Sequence, residues 1–195
     1  MADYPTRAEA LELMHEYTES TSLRKHMYAV EAAMRAYAEK YGEDVELWGL
    51  TGLIHDFDYE RWPNDEHSPT AEHPSAGVAI LRERGWPEEA LDAVMAHADY
   101  TGVPAESLMA KTLRAVDELA GFITACALVR PTRISDLGAR SVKKKLKDKA
   151  FAAAVSRDDI REGQEALGED LTEHIEFVVA AMRGIADELG LQGDA

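Results

Sequence analysis

Apolar residues along this chain recur every three or four positions, the period of a helix face, and not every second one. Leu11 and Met14 do so in a first segment that Thr6 can cap and that runs to about residue 19. Met27, Val30 and Met34 do so in a second, which starts at Thr21 or Ser22, reaches about Tyr41 and is stopped by Gly42. Val45–Ile54 is strongly apolar, the pattern of a buried helix. Residues 57–72 hold Pro63, Asn64, Ser68 and Pro69 and read as a long loop. Pro74 takes a first helical position in a segment that runs to Arg84, before Gly85, and Pro87 opens another that reaches about Ala98. Further helices are predicted over 107–128, 141–155, 157–167 and 171–189. No alternating run bounded by turn signals calls for a strand, and there is no repeat, low-complexity tract or linker. The pattern predicts an all-α chain, a single-domain helical bundle over residues 1–195.

Composition narrows the class. A chain of 195 residues, 46% hydrophobic, can bury a substantial core. Cys126 is the only cysteine, so no internal disulfide can form and the chain fits a reducing cytoplasm. No apolar run has the length of a membrane span, and the N-terminus lacks the basic start and apolar stretch of an export signal. A formal charge of −16 argues against nucleic-acid polymers and anionic membranes as partners. A small anionic ligand responds to local charge and stays open. The stretch KKKLKDKAFAAAV is amphipathic, but its lysines are too few for membrane attachment in so acidic a chain.

The stretch GLIHDFD, residues 52–58, breaks the apolar pattern by setting His55 beside Asp56 at the end of a buried helix. Such groups are costly to bury unless hydrogen-bonded, paired or bound to a metal. Asp117 likewise interrupts an apolar run, LRAVDELAGFI. His26, His55, Asp56, His73, His97 and Asp117 form an ordered pattern, H…HD…H…H…D, on helices or helix ends. This pattern resembles the HD-domain superfamily of metal-dependent hydrolases, over roughly residues 23–120. The resemblance implies a helical metal-binding core, with helices of about 130–190 packed on it. It also implies that His26, His55, Asp56 and Asp117 hold one metal, that Asp56 bridges, and that His73 and His97 complete a second site. Neutral imidazoles with carboxylates suit divalent transition metals, Fe or Mn foremost and Co, Ni or Zn besides, better than Mg or Ca. Two such ions would activate a shared water and clamp a phosphoryl group.

The superfamily resemblance implies a phosphohydrolase acting on a small phosphorylated substrate such as a nucleotide. Ala98 follows His97 where cyclic-dinucleotide phosphodiesterases of this superfamily carry a further His, which puts that substrate in doubt. The run HADYTGVPAESLMAKTLRAVDEL looks closer to small bacterial phosphohydrolases, including those that cleave dinucleoside polyphosphates. Two alternatives share the pattern: mixed-valence di-iron oxygenases with the same six ligands, and a non-catalytic nucleotide-binding module. Tyr59 stands where many relatives carry a Lys. Asp58 is a candidate proton acceptor beside Asp56, an orienter of a ligand His, or a turn residue. Arg130, Arg133, Lys143, Lys144 and Lys145 form the one basic cluster, a candidate for substrate phosphate or a solvated face. His67 reads as a loop residue on the cleft or the surface, and His15 and His174 as residues without a role in the site. The sequence gives no oligomeric state.

Overall fold

The computed structural model describes residues 4–193, which form ten α-helices and no strand. Helix α1 (Arg7–Tyr17) starts on a capping box between Thr6 and Glu9. Ser20 caps α2 (Thr21–Tyr41), and Gly42, at φ 74°, ends it in the left-handed region. Asp44 caps α3 (Val45–Ile54), whose residues from Leu47 onward are all buried, as its apolar pattern requires. Gly52 lets α3 lie tight on α2, since a Cβ there would meet the Val30 carbonyl oxygen at 3.0 Å. That close approach sets the end of α3, with His55, beside the N-terminal part of α2, with His26.

Residues 57–74 run as a chain of turns, anchored by the buried Phe57, whose carbonyl accepts from the Thr18 hydroxyl at 2.9 Å. Helices α4 (Ser75–Glu83) and α5 (Glu88–Ala96) follow, each with a proline at its N-cap. A 3₁₀ turn (Asp99–Thr101), which the periodicity did not predict, leads towards α6 (Leu108–Leu128), capped by Ser107. This long helix packs on α2, α5, α8 (Arg157–Leu167) and α9 (Leu171–Gly184). The buried residues of these helices form one continuous apolar cluster. No helix among the described residues is long and apolar enough to cross a membrane.

Two predicted helices are broken. The segment expected over 141–155 is a short α7 (Ala139–Leu146) followed by turns. Arg157 braces these turns: its guanidinium donates to the carbonyls of Asp148, Phe151, Ala152 and Val155, and two of them, Asp148 O and Ala152 O, also accept turn bonds from Phe151 N and Val155 N. Ala152 sits at φ 45°. The segment expected over 171–189 breaks at Ile185, φ −122°, and a short α10 (Ala186–Leu189) returns Leu189 and Leu191 to the core.

Candidate metal centre

Six side chains from five places in the chain converge on one centre. His26 comes from the second turn of α2, His55 and His97 from the C-caps of α3 and α5, Asp56 from the residue after His55, His73 from the end of the turn region, and Asp117 from the middle of α6. His26 Nε2 stands 2.9 Å from Asp117 Oδ1 and 3.7 Å from Asp56 Oδ2. His55 Nε2 lies 3.4 Å from the same Asp56 oxygen and 3.3 Å from Asp117 Oδ1. Asp56 turns its other oxygen, Oδ1, to His73 Nε2 at 3.3 Å and His97 Nε2 at 3.6 Å. One carboxylate therefore addresses two donor groups, His26–His55–Asp56–Asp117 and Asp56–His73–His97, each compact enough to surround an ion.

The opposite ring nitrogens show how three imidazoles are aimed. His55 Nδ1–H donates to Gly52 O at 2.8 Å and His97 Nδ1–H to Val94 O at 2.5 Å, the same backbone offset at two helix ends. His73 Nδ1–H donates to Asp58 Oδ1 at 2.7 Å. Each bond fixes the proton on Nδ1 and leaves a lone pair on Nε2. His73 and His97 face each other Nε2 to Nε2 at 3.2 Å, an arrangement that needs a proton or a cation between the two nitrogens. His55 Nε2 is fully buried and has no hydrogen-bond partner. An orphaned buried acceptor costs about 1–3 kcal/mol, and facing lone pairs repel. A cation in each group removes both penalties, and mixed nitrogen and oxygen donors suit divalent transition ions. The donor set fits the metals that the sequence implied.

Electrostatics agree with that fit. Burial pulls the His55 imidazole down, but Asp56 and Asp117 outweigh it and hold it well above its ordinary value. Burial pushes both carboxyls up, and the neighbouring imidazoles outweigh it and hold them below the usual carboxylate range. The cluster without ions is a set of anions that collects protons in place of metal.

The centre floors a cleft of about 490 Å³. Asp58 does not face this cleft. It is 1% exposed, and its second oxygen accepts from Gly77 N at 2.7 Å, so the expected proton-accepting role gives way to positioning of His73. A side chain at Gly77 would displace that carboxylate, since its Cβ would lie 2.6 Å from Asp58 Cγ. Tyr59 and His67 line the cleft, His67 on an exposed turn beside Tyr100.

The basic cluster is not brought to the cleft. Arg130 pairs with Asp136 at 2.7 Å, Arg133 donates to Leu128 O at 3.0 Å, and Lys143 donates to Thr172 at 2.9 Å. Lys144 and Lys145 line a separate groove with Arg130. Arg140, Lys143 and Lys147 line a further groove with Lys144, so α7 presents its basic residues away from the centre. The cation at the cleft is Arg114, held by Asp99 at 2.5 Å and Glu162 at 3.4 Å. Glu118 also lines the cleft; burial and the Asp117 charge push its carboxyl up to about 7, while Ser156 N–H donates to it at 3.0 Å. Arg114 and Gly121 stand three before and four after Asp117, so helical spacing from that ligand would have found both. His174, by contrast, is buried between the Tyr37 hydroxyl and Ala115 O and does not line the cleft.

The family model that matches this chain is the HD domain, over residues 23–121, which takes in all six converging residues. No curated protein and no solved structure matches the chain.

Proposed function

The chain belongs to the HD-domain family, and from that premise we propose that it hydrolyses a phosphate ester or anhydride of a small molecule, using two divalent ions. The observation that carries this reading is Asp56, whose two carboxylate oxygens each address a separate donor group. His26, His55, Asp56 and Asp117 would hold one ion, and Asp56, His73 and His97 the other. When bound, the ions would lower the pKa of a shared water and offset phosphoryl charge. The chain itself supplies the remaining parts. Asp58, Gly52 O and Val94 O hold three imidazoles at one rotation and one tautomer. Arg114 offers a planar cation for phosphoryl oxygens, matched against the carboxylates that now hold it. Tyr59, Asn64, His67 and Tyr100 form the wall that an organic group would meet. In the overall reaction the water oxygen bonds to phosphorus and the bond to the leaving oxygen breaks, the leaving group departing with a proton.

The test is metal analysis of protein purified without oxygen, followed by assays for phosphate-ester cleavage and O₂ uptake. Two ions per chain and phosphate-ester cleavage are expected. His73→Ala and His97→Ala should each lower the count towards one. O₂ consumption with iron and no ester cleavage would replace this reading with the oxygenase alternative.

A further inference from the structure

Two hollows meet at the His26 edge of the centre. The cleft and a second groove of about 400 Å³ share His26 and Gly121. The second groove runs between the first turns of α2, the C-terminal half of α6 and the segment after α10. Ser22, Lys25 and Thr124 give it polar groups, and Leu128 and Leu191 give it an apolar wall. Leu128 is 51% exposed although it closes a helix with a buried face. Lys25 has no carboxylate partner among the described residues.

Gly121 forms the saddle between the hollows, and packing does not require a glycine there. Glycine is among the poorest residues for a helix interior. At other glycines inside these helices a close neighbour accounts for it: the Val30 backbone at Gly52, the Asp58 carboxylate at Gly77, the Ala115 backbone at Gly163; Gly184, with open space, is the last residue of α9 and not an interior one. A Cβ at Gly121 would meet His26 Nδ1 alone, at 3.9 Å, an ordinary contact. The missing side chain leaves the saddle open and the Nδ1 edge of His26 uncovered. That nitrogen differs from its counterparts. Nδ1 of His55, His73 and His97 is each tied to a protein acceptor, whereas His26 makes its one hydrogen bond through Nε2.

We propose that the scissile phosphate carries an organic group on each side, one lying in the cleft and the other crossing Gly121 into the second groove. The substrate is a phosphodiester, and Gly121 sets that preference. This inference rests on the hydrolase reading and narrows its substrate class. With Nε2 of His26 committed to the ligand set, the ring proton sits on Nδ1 and donates a hydrogen bond to the second arm. Ser22, Lys25 and Thr124 then meet its polar part and Leu128 its apolar part.

The test compares bis(4-nitrophenyl) phosphate with 4-nitrophenyl phosphate on the metal-loaded full chain, for wild type, Gly121→Ala and Gly121→Leu. Binding of diphenyl phosphate and phenyl phosphate is measured by calorimetry alongside. Gly121→Leu is expected to lower the diester-to-monoester ratio of kcat/KM at least about tenfold and to weaken diphenyl phosphate selectively by a similar factor. Gly121→Ala, which removes a helix-breaking residue without a clash, should have a thermal midpoint no lower than wild type and an intermediate ratio. Metal content should be the same in all three. A wild type that cleaves only the monoester, or variants that change both probes in parallel, would overturn the two-armed site while leaving the hydrolase reading in place. Cleavage of neither probe, with diphenyl phosphate binding that still depends on residue 121, would overturn the hydrolase reading and keep the site. Neither cleavage nor such binding would remove both.

Discussion

Asp58 shows how one buried carboxylate can govern a centre it does not enter. It accepts from His73 Nδ1 and Gly77 N, both at 2.7 Å, and thereby sets the tautomer that leaves His73 Nε2 free to bind. Asp58→Ala leaves two buried donors unpaired, and a loss of about 2 kcal/mol or more is expected in urea unfolding. Asp58→Asn separates positioning from folding. Its amide oxygen can still accept from Gly77, while its NH₂ would donate to His73 Nδ1 and drive the ring proton to Nε2. The Asn variant should therefore keep most of its stability yet bind an ion at the His73–His97 group about 10–100-fold more weakly. Equal metal affinity in wild type and Asn variant, measured by titration, would remove the positioning role.

At the scale of elements, the segment 148–155 is held by one side chain. Arg157 donates to four carbonyls there, its ring-facing side lies 4.8 Å over Phe122, and Ala154 and Val155 at the far end of the segment line the cleft. Local opening should be governed by those bonds. A charged donor contributes about 1.5–3 kcal/mol per hydrogen bond in net terms. Arg157→Ala is therefore expected to speed amide exchange across 148–155 by roughly 10–100-fold, and to raise KM without loss of metal. Unchanged protection in hydrogen-exchange mass spectrometry would show that the segment is held by its apolar contacts instead. Helical periodicity could not foresee this arrangement, because the alanines of this stretch favour a helix and the bracing donor lies beyond it.

For the whole molecule, the centre couples metal to stability and pH. Any ion bound only by the folded chain adds about 2.7 kcal/mol at a free concentration a hundred times Kd. For a chain of this size that is roughly 5–10 °C in thermal midpoint. Removing the ions with a chelator should lower the midpoint by that order. The sign of the pH dependence follows from His55 and His97, which burial lowers but the carboxylates raise above their ordinary value. Without ions, these raised groups stabilise the fold fully below their unfolded value of about 6.5, and that stability is lost as pH rises through the folded value. With ions the same imidazoles are held neutral, and proton competition fades as pH rises. The gap between loaded and metal-free midpoints should thus widen from pH 6 to pH 8 in scanning calorimetry. A gap that narrows over this range would contradict the assignment of these imidazoles as ligands.

The helices and the ligand residue types were legible in the chain itself. Periodicity places the starts and stops of α2 and α3, since caps and glycine act within a few residues. The ordered histidines and aspartates stood out because polar groups in apolar runs need a partner. Roles that depend on direction were not legible. Asp58 and Asp56 are two residues apart, yet one faces an acceptor-hungry histidine in the core and the other the cleft. The basic residues of α7 follow the Asp117 helix in sequence, yet they point into other grooves because α7 packs its buried Ala139 and Val142 inward and turns its lysines away from the centre. Arg114 and Gly121 share the face of Asp117 by helical spacing, whereas what packs opposite α6 decides that this face lines a cleft. Local hydrogen bonding and burial pattern act along the chain, which is why most helices and all six donors can be read from it. Which faces meet is set by packing between distant segments, so the wall of the cleft, the partners of its cation and the second groove emerge only when the helices are assembled.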